Sequence, residues 1–305
     1  MVSPHFSSAL FKPRHWLSWM GLCVWYLLAQ LPYPIQFSLA KILSPLLRLN
    51  KKRIRYARVN LRLCFPQMSD SEREKLLRDN LFSTAMAVFE TGIAWFWPKW
   101  RLRRLFSIQG LEYVEQTQQE GCGALILGLH FTTLDIGMAM LGQHVSYAGM
   151  YNTHKNPVMD YWQKKRRETY CRDAMAFSRD NLRTMVSQLR KSRMVWYTPD
   201  RDLGRRSSVF VSFFGVPTAT VTATSDFARI GKAKVIPFSL IRLPGLKGYR
   251  LSLHPPLNDF PSENVMVDAR RVNEFMENEI LKCPEQYFWA QPRFKTRPEG
   301  EAKVY

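Results

Sequence analysis

Hydrophobic positions follow two regimes along the chain. Up to Pro98 they keep helical spacing. Residues 16–31 are rich in Trp, Leu and Val, with no charged side chain between His15 and Lys41, and Leu31-Pro-Tyr-Pro34 closes the run. Ser69-Asp-Ser-Glu72 has the form of a capping box. It predicts a helix through Leu76, Leu77, Leu81, Met86 and Phe89 toward Trp95, ending by Pro98. Over residues 85–97 that helix is apolar nearly all round, which suits a buried element, a groove wall or lipid. Beyond residue 120 the apolar runs shorten and alternate with amphipathic stretches. Strands are predicted over 123–129, 145–151, 194–198, 234–242 and 249–254. Helices are predicted after Thr133, from Asn156-Pro157 through Tyr161 and Trp162, over 181–189, and over 265–281 before Pro284. This alternation predicts an α/β fold: a central mixed or mostly parallel sheet flanked by helices, preceded by an N-terminal membrane-anchoring helix. No repeat or low-complexity linker divides the chain. The expected organisation is an anchor over 1–40 and one domain over 41–305.

The first buried strand ends in a histidine. The run Gly123-Ala-Leu-Ile-Leu-Gly-Leu-His130 is followed by Phe-Thr-Thr-Leu-Asp135. On one continuous helix, residues five apart diverge by about 140°. With His130 on the strand end and Asp135 in the first turn of the next helix, the carboxylate can reach the imidazole. That pairing would fix the tautomer and leave the other ring nitrogen to take a proton from an alcohol. In sheets of this kind ligands bind at the carboxyl ends of the strands, where His130 falls. The alternative is a histidine satisfied near the core.

Composition narrows the class. The 305 residues carry a formal net charge of +19, yet 46% are hydrophobic and the chain holds nine Trp and nineteen Phe. A disordered basic chain would lack the aromatics, and no helix-turn-helix, RNP-type or zinc-finger spacing points to nucleic acid. Basic and aromatic together fit a protein on an anionic membrane or one receiving an acidic partner. Cys23, Cys64, Cys122, Cys171 and Cys283 are scattered, odd in number and without a CxxC, which argues for a reducing compartment. Residues 16–31 lack a cleavage signature and read as a retained anchor, with Trp16, Trp19 and Trp25 at the membrane interface. A buried core helix is the alternative. Residues 41–62 then hold eight basic side chains and no acidic one, including Lys51, Lys52 and Arg53. That run favours a cytoplasmic location for the rest of the chain and contact with lipid headgroups; otherwise it is a solvated helix face.

A second polar cluster lies just after the strand over 194–198. Asp200, Arg201, Asp202, Gly204, Arg205, Arg206 and Ser208 precede Phe210, Phe213 and Phe214. This is the composition of a polar site beside an apolar channel, or of a salt-bridged turn above a core. Two carboxylates alone make a poor metal site. A third cluster, Lys164-Lys-Arg-Arg167 with Arg172 and Arg179, offers guanidinium forks for phosphate or carboxylate, or a solvated face.

Longer runs carry a resemblance. They are Pro13-Arg-His-Trp16, Leu31-Pro-Tyr-Pro34, Asn60-Leu-Arg-Leu-Cys-Phe-Pro66 and Glu90-Thr-Gly-Ile-Ala-Trp-Phe-Trp-Pro98. The segment His130 to Asp135, Asn156-Pro157, Pro199-Asp-Arg-Asp-Leu-Gly204 and Ser208-Val-Phe210 continue the series. It closes with Pro284-Glu-Gln-Tyr287 and Arg293-Phe-Lys-Thr-Arg-Pro298. Over nearly its whole length the chain resembles the late acyltransferases of lipid A biosynthesis, the lauroyl and myristoyl transferases of Gram-negative bacteria. The resemblance implies an enzyme of the glycerolipid-acyltransferase type at the cytoplasmic side of the bacterial inner membrane. Such enzymes move a fatty acyl chain from acyl carrier protein onto the 3-hydroxyl of an acyl chain on a Kdo-bearing lipid A precursor. The implied partners are therefore acyl carrier protein, that precursor and inner-membrane lipids, with no nucleic acid, metal or cofactor.

His130 and Asp135 match the family's HxxxxD/E motif as general base and orienting acid. Arg167, Arg179, Asp200 and Asp202 match later polar positions. Together with Asn156, Gly204, Ser208 and Arg293, within the matching runs, they are assigned to substrate binding or active-site support. Two departures stand out. Position 135 is Asp, where the lauroyl type commonly has Glu, and Trp289-Ala-Gln-Pro292-Arg293 replaces the more usual Trp-Leu/Ile-His-Arg-Arg. A glycerophospholipid acyltransferase would share the chemistry, but its Glu-Gly-Thr-Arg element is missing. A non-catalytic basic membrane-binding protein would depend on residues 41–62 and not on His130.

Overall fold

In a computed structural model that describes residues 7–178 and 181–305, the chain forms eleven α-helices and nine strands among the described residues. The N-terminal part is helical: α1 (Trp16–Gln30), α2 (Tyr33–Leu43), α3 (Lys51–Cys64), α4 (Asp70–Phe96) and the single turn α5 (Lys99–Leu102). Strands and helices then alternate: β1 (Phe106–Gln109), α6 (Leu111–Gln119), β2 (Ala124–Leu127), α7 (Leu134–Leu141), β3 (Tyr147–Tyr151) and α8 (Pro157–Arg167). Next come β4 (Met175–Ser178), α9 (Leu182–Arg190), β5 (Met194–Tyr197), β6 (Ser208–Phe213), β7 (Val216–Val221) and α10 (Ala223–Gly231). Strands β8 (Lys234–Arg242) and β9 (Tyr249–Leu253) and helix α11 (Val265–Lys282) complete the chain.

Seven strands form one sheet in the order β1-β9-β8-β2-β5-β3-β4, parallel throughout except between β8 and β9. Every residue of β2 and β5 is buried, as befits central strands covered on both faces. The predicted α/β class and the five predicted strands hold. The four-residue strands β1 and β4 and the antiparallel hairpin β6–β7 are additions that the hydrophobic pattern does not predict. The hairpin turn places Phe214 and Gly215 at φ of 51° and 78°. Two successive positive values suit the twist of a tight hairpin, but Phe is a poor signal for one.

Helix α4 is the spine of the N-terminal half. Its capping box is formed as predicted, with the Ser69 hydroxyl on the Glu72 amide and the Glu72 carboxylate on the Ser69 amide. Its later turns carry α1 and α2. A Cβ at Gly92 would stand 2.9 Å from the Trp25 indole nitrogen and 3.0 Å from the Ala29 Cβ, so only glycine permits this approach. The Trp25 indole donates to the Val88 carbonyl at 3.0 Å. Beneath the crossing lies a buried polar network. Arg242 donates to Glu90 at 2.6 Å and to the Ser83 hydroxyl at 2.7 Å. The Tyr249 hydroxyl donates to Glu90 at 2.8 Å and accepts from Tyr33 at 3.3 Å. Burial alone would lower the Arg242 pKa; the Glu90 carboxylate reverses this and holds it above the ordinary value. The network pins α2 and α4 to β8 and β9.

The run expected to anchor the chain folds as the short helix α1. At 15 residues α1 is about 22 Å long, short of the roughly 30 Å apolar core of a bilayer. Among the described residues, no helix is long and apolar enough to cross a membrane. One face of α1 packs inward through Leu22 and Ala29, while Leu17, Met20, Val24 and Leu27 stand 51–74% exposed. Their spacing of three and four residues sets them in one stripe. Of the tryptophans expected at an interface, Trp16 is exposed. The other two are turned into the protein: Trp19 donates to the Leu10 carbonyl at 2.9 Å, and Trp25 packs on Trp95.

Candidate active site

The register of two central strands builds the site. Leu127 at the end of β2 lies beside Tyr197 at the end of β5, and the Gly128 amide extends the pairing to the Tyr197 carbonyl at 2.9 Å. Three residues beyond each strand stand His130 and Asp200. Asp200 is fully buried and His130 is 17% exposed, so the pair has one wet side. One carboxylate oxygen of Asp200 accepts from the His130 main-chain amide at 2.9 Å, and the other bonds Nδ1 of its ring. Burial would raise the Asp200 pKa. The charge of His130, its two hydrogen bonds and the nearby Arg293 outweigh that and hold the carboxyl far below the usual range. In the neutral ring, an ionised partner on Nδ1 places the hydrogen there and leaves Nε2 with its lone pair free.

This corrects the expected pairing of His130 with Asp135. Asp135, in the first turn of α7, receives both Nε and Nη2 of Arg167 on one oxygen, at 3.0 and 2.8 Å. Burial would lower the Arg167 pKa, but Asp135, with Tyr170, holds it raised. The five-residue spacing is real, and its two members are engaged by carriers on other elements: Asp200 after β5 and Arg167 at the end of α8.

The loop after His130 is clamped from the other side of the chain. The Phe288 amide donates to the His130 carbonyl at 2.9 Å, and the Thr132 amide donates to the Gln286 carbonyl at 2.8 Å. Gln286 in turn exchanges side-chain hydrogen bonds with the Arg242 main chain, at 2.8 and 2.9 Å. The buried Glu90–Arg242 network therefore ends, through Gln286, on the loop that carries His130. No local pattern in the sequence announces this clamp, because its members lie more than 40 residues apart.

The other expected site residues divide between support and turn geometry. Arg293 is buried, donates to the Ala219 carbonyl at 2.7 Å, and acts on Asp200 through its charge. Asp202 turns away from Asp200: it accepts from the Thr296 amide at 2.6 Å, the Thr296 hydroxyl at 2.8 Å and the Gly204 amide at 3.0 Å. The two carboxylates thus serve different partners, which removes the shared-ligand reading. Gly204 makes this turn with φ of 89°. Asn156 caps α8 through the amides of Val158 and Met159, and its own amide reaches Ser18 at 2.7 Å; it ties α8 to α1. Ser208 opens β6. Arg179 lies outside the described residues. Lys51, Lys52 and Arg53 are exposed on the first turn of α3, and the last two line a cavity that also reaches Phe288.

Comparison with known proteins agrees over the whole chain. A family model described as bacterial lipid A biosynthesis acyltransferase matches residues 3–296. The chain is 41% identical to the lipid A biosynthesis lauroyltransferase of Escherichia coli (strain K12), covering 99% of each chain. It is 39% identical to the lipid A biosynthesis palmitoleoyltransferase of the same strain, over 98% of each. Against that strain's lipid A biosynthesis myristoyltransferase identity is 32%, over 99% of this chain and 94% of the other.

Proposed function

Since the chain belongs to the bacterial lipid A biosynthesis acyltransferase family, and is an acyltransferase, we propose a specific reaction for it. It transfers a fatty acyl chain from acyl carrier protein to the 3-hydroxyl of an acyl chain on a Kdo-bearing lipid A precursor. The observation that carries the chemistry is the buried Asp200 carboxylate on Nδ1 of a His130 ring that still reaches solvent. His130 Nε2 accepts the proton of the acceptor hydroxyl as its oxygen attacks the thioester carbonyl carbon. The carbon–sulfur bond then breaks, and the imidazolium returns the proton to the departing sulfur. A thioester is already activated, so base and orienting acid are enough to start the transfer. Asp200 orients His130, while Asp135 and Arg167 form a neighbouring ion pair on the α7 side.

Residues 1–40 are the membrane-facing part of the enzyme, and residues 41–305 carry the reaction at the cytoplasmic side of the inner membrane. The exposed stripe of α1 supports a helix lying in the plane of the interface. Exchanging Leu17 and Leu27 for Glu removes two apolar side chains from it and lowers binding to anionic vesicles by about a hundredfold or more. Unchanged flotation with vesicles would overturn the in-plane reading.

Transfer is tested with purified protein in detergent micelles, a Kdo-bearing tetra-acyl precursor and a panel of acyl carrier protein thioesters, read by mass spectrometry. The precursor gains the mass of one acyl chain, and His130→Ala abolishes the gain. A gain that survives His130→Ala would remove the base from its role. Acylation of glycerophosphate in place of the precursor would redirect the acceptor assignment.

A further inference from the structure

Beside the catalytic loop lies a cavity of about 570 Å³ that the reaction chemistry leaves unused. Lys52, Arg53 and Tyr56 of α3 form one wall, Arg201 a second, and Phe288 with Gln291 a third. Two links place it next to the base: Arg201 is the immediate neighbour of Asp200, and the Phe288 amide holds the His130 carbonyl. Its walls are fixed with respect to each other. The Asn60 side chain, on α3, donates to the carbonyls of Trp289 and Gln291, each at 2.7 Å.

Positive charge dominates this cavity, with three cations against one carboxylate. Lys52, Arg53 and Arg201 form no ion pair among the described residues. The one carboxylate in the lining, Asp202, is already saturated by Thr296 and Gly204. Arg53 stands over the Phe288 ring at 5.6 Å and Lys52 over Tyr56 at 5.9 Å. Aromatic faces thus hold both cations without neutralising them. The Arg201 Nε is buried and meets no acceptor. A buried donor of that kind costs free energy unless an acceptor arrives.

We propose that this cavity is the subsite for the anionic headgroup of the lipid acceptor, with Lys52, Arg53 and Arg201 binding its carboxylate or phosphate oxygens. The proposal rests on the transfer reaction above and assigns a second role to part of the basic run on α3: these side chains select the acceptor and place its hydroxyl beside His130. Volume agrees, since a cavity of a few hundred Å³ takes a sugar-sized group. Guanidinium and ammonium groups that meet anionic oxygens contribute mainly to binding, so their loss belongs in KM.

The test compares wild type, the double variant Lys52→Ala/Arg53→Ala, Arg201→Ala, and Arg55→Ala. Arg55 is a cation of the same helix that does not line the cavity. Each is assayed with three acceptors: the complete precursor, one without its acidic sugars, and one without its phosphates. The expected result is a rise in KM for the complete precursor of about tenfold or more in the double variant and in Arg201→Ala. Arg55→Ala stays within about twofold. The rise disappears with the acceptor that lacks the bound group, which tells carboxylate from phosphate. An unchanged KM, an equal rise in Arg55→Ala, or a rise that persists with both stripped acceptors would overturn the subsite. If wild type acylates none of the three, the transfer reaction itself falls. The cavity is then judged by titration with free Kdo and with inorganic phosphate. Binding lost in the double variant retains an anion site, and equal or absent binding removes it.

Discussion

Asp200→Asn lowers acyl transfer by about 10²–10⁴-fold, a loss of the same order as that of His130→Ala. The reason is a tautomer rather than a charge alone. In the native site the His130 main-chain amide donates to one oxygen of Asp200, and the ring nitrogen Nδ1 meets the other. An asparagine keeps its oxygen on the main-chain donor and turns its amide nitrogen toward Nδ1. Nδ1 must then accept, the ring hydrogen moves to Nε2, and the base has no lone pair for the substrate hydroxyl. Single-turnover transfer followed by mass spectrometry measures the loss. Asp135→Asn is the necessary comparison. If it abolishes transfer while Asp200→Asn is unaffected, Asp135 is the orienting acid after all.

The depressed pKa of Asp200 adds a stability consequence with a definite sign. A carboxyl held far below its unfolded value contributes stability that is complete above the ordinary range near pH 4. That contribution is lost as pH falls from there toward the folded value. Asp200 is therefore ionised throughout mildly acidic and neutral conditions, and a decline in rate there is not its protonation.

Glu90→Ala lowers stability by about 3–5 kcal/mol, the cost of leaving a buried partner charge unpaired. Arg242 is 5% exposed and Glu90 1%, so neither has water to turn to. The substitution also strips the Tyr249 hydroxyl of its acceptor. Replacing both charges, as in Glu90→Leu with Arg242→Met, costs less than Glu90→Ala, because no unpaired charge remains. Thermal unfolding in detergent reads both, with a drop of roughly 5–15 °C expected for the single variant. Equal midpoints for Glu90→Ala and wild type would show that the pair is replaceable. Because Arg242 steadies Gln286, and Gln286 the Thr132 amide, the single variant also loses transfer rate below its unfolding temperature.

Most of the fold is legible from local signals. Strands β2, β3, β5, β8 and β9 and helices α4, α7, α8, α9 and α11 are long or apolar enough to stand out, and the His130 strand end is visible from its glycines and apolar run. Strands β1 and β4 escape because, unlike the equally short β2 and β5, they lie at the sheet edges and carry no continuous apolar run. The β6–β7 hairpin escapes because Pro217 sits in its second strand and Phe214 in its turn. Partner choice is the larger gap. A carboxylate five residues from a histidine is conspicuous, while one 70 residues away becomes its partner only through the register of β2 with β5. The N-terminal run is only partly legible for a related reason. Hydropathy reports that residues 16–31 avoid water, but not that one face of α1 is already taken by α4.

The ties that hold the N-terminal helices to the rest span very long stretches of chain: 216 residues from Tyr33 to Tyr249 and 229 from Asn60 to Trp289. At about 5–20 residues per second, the ribosome needs roughly 10–40 s to deliver Tyr249 after Tyr33. Until then α2 lacks its hydrogen bond to the sheet, and the outward stripe of α1 stays uncovered. A nascent chain of this kind is aggregation-prone in water. On the proposed membrane-facing reading, refolding from denaturant is expected to give more folded protein when detergent or vesicles are present from the first moment than without them.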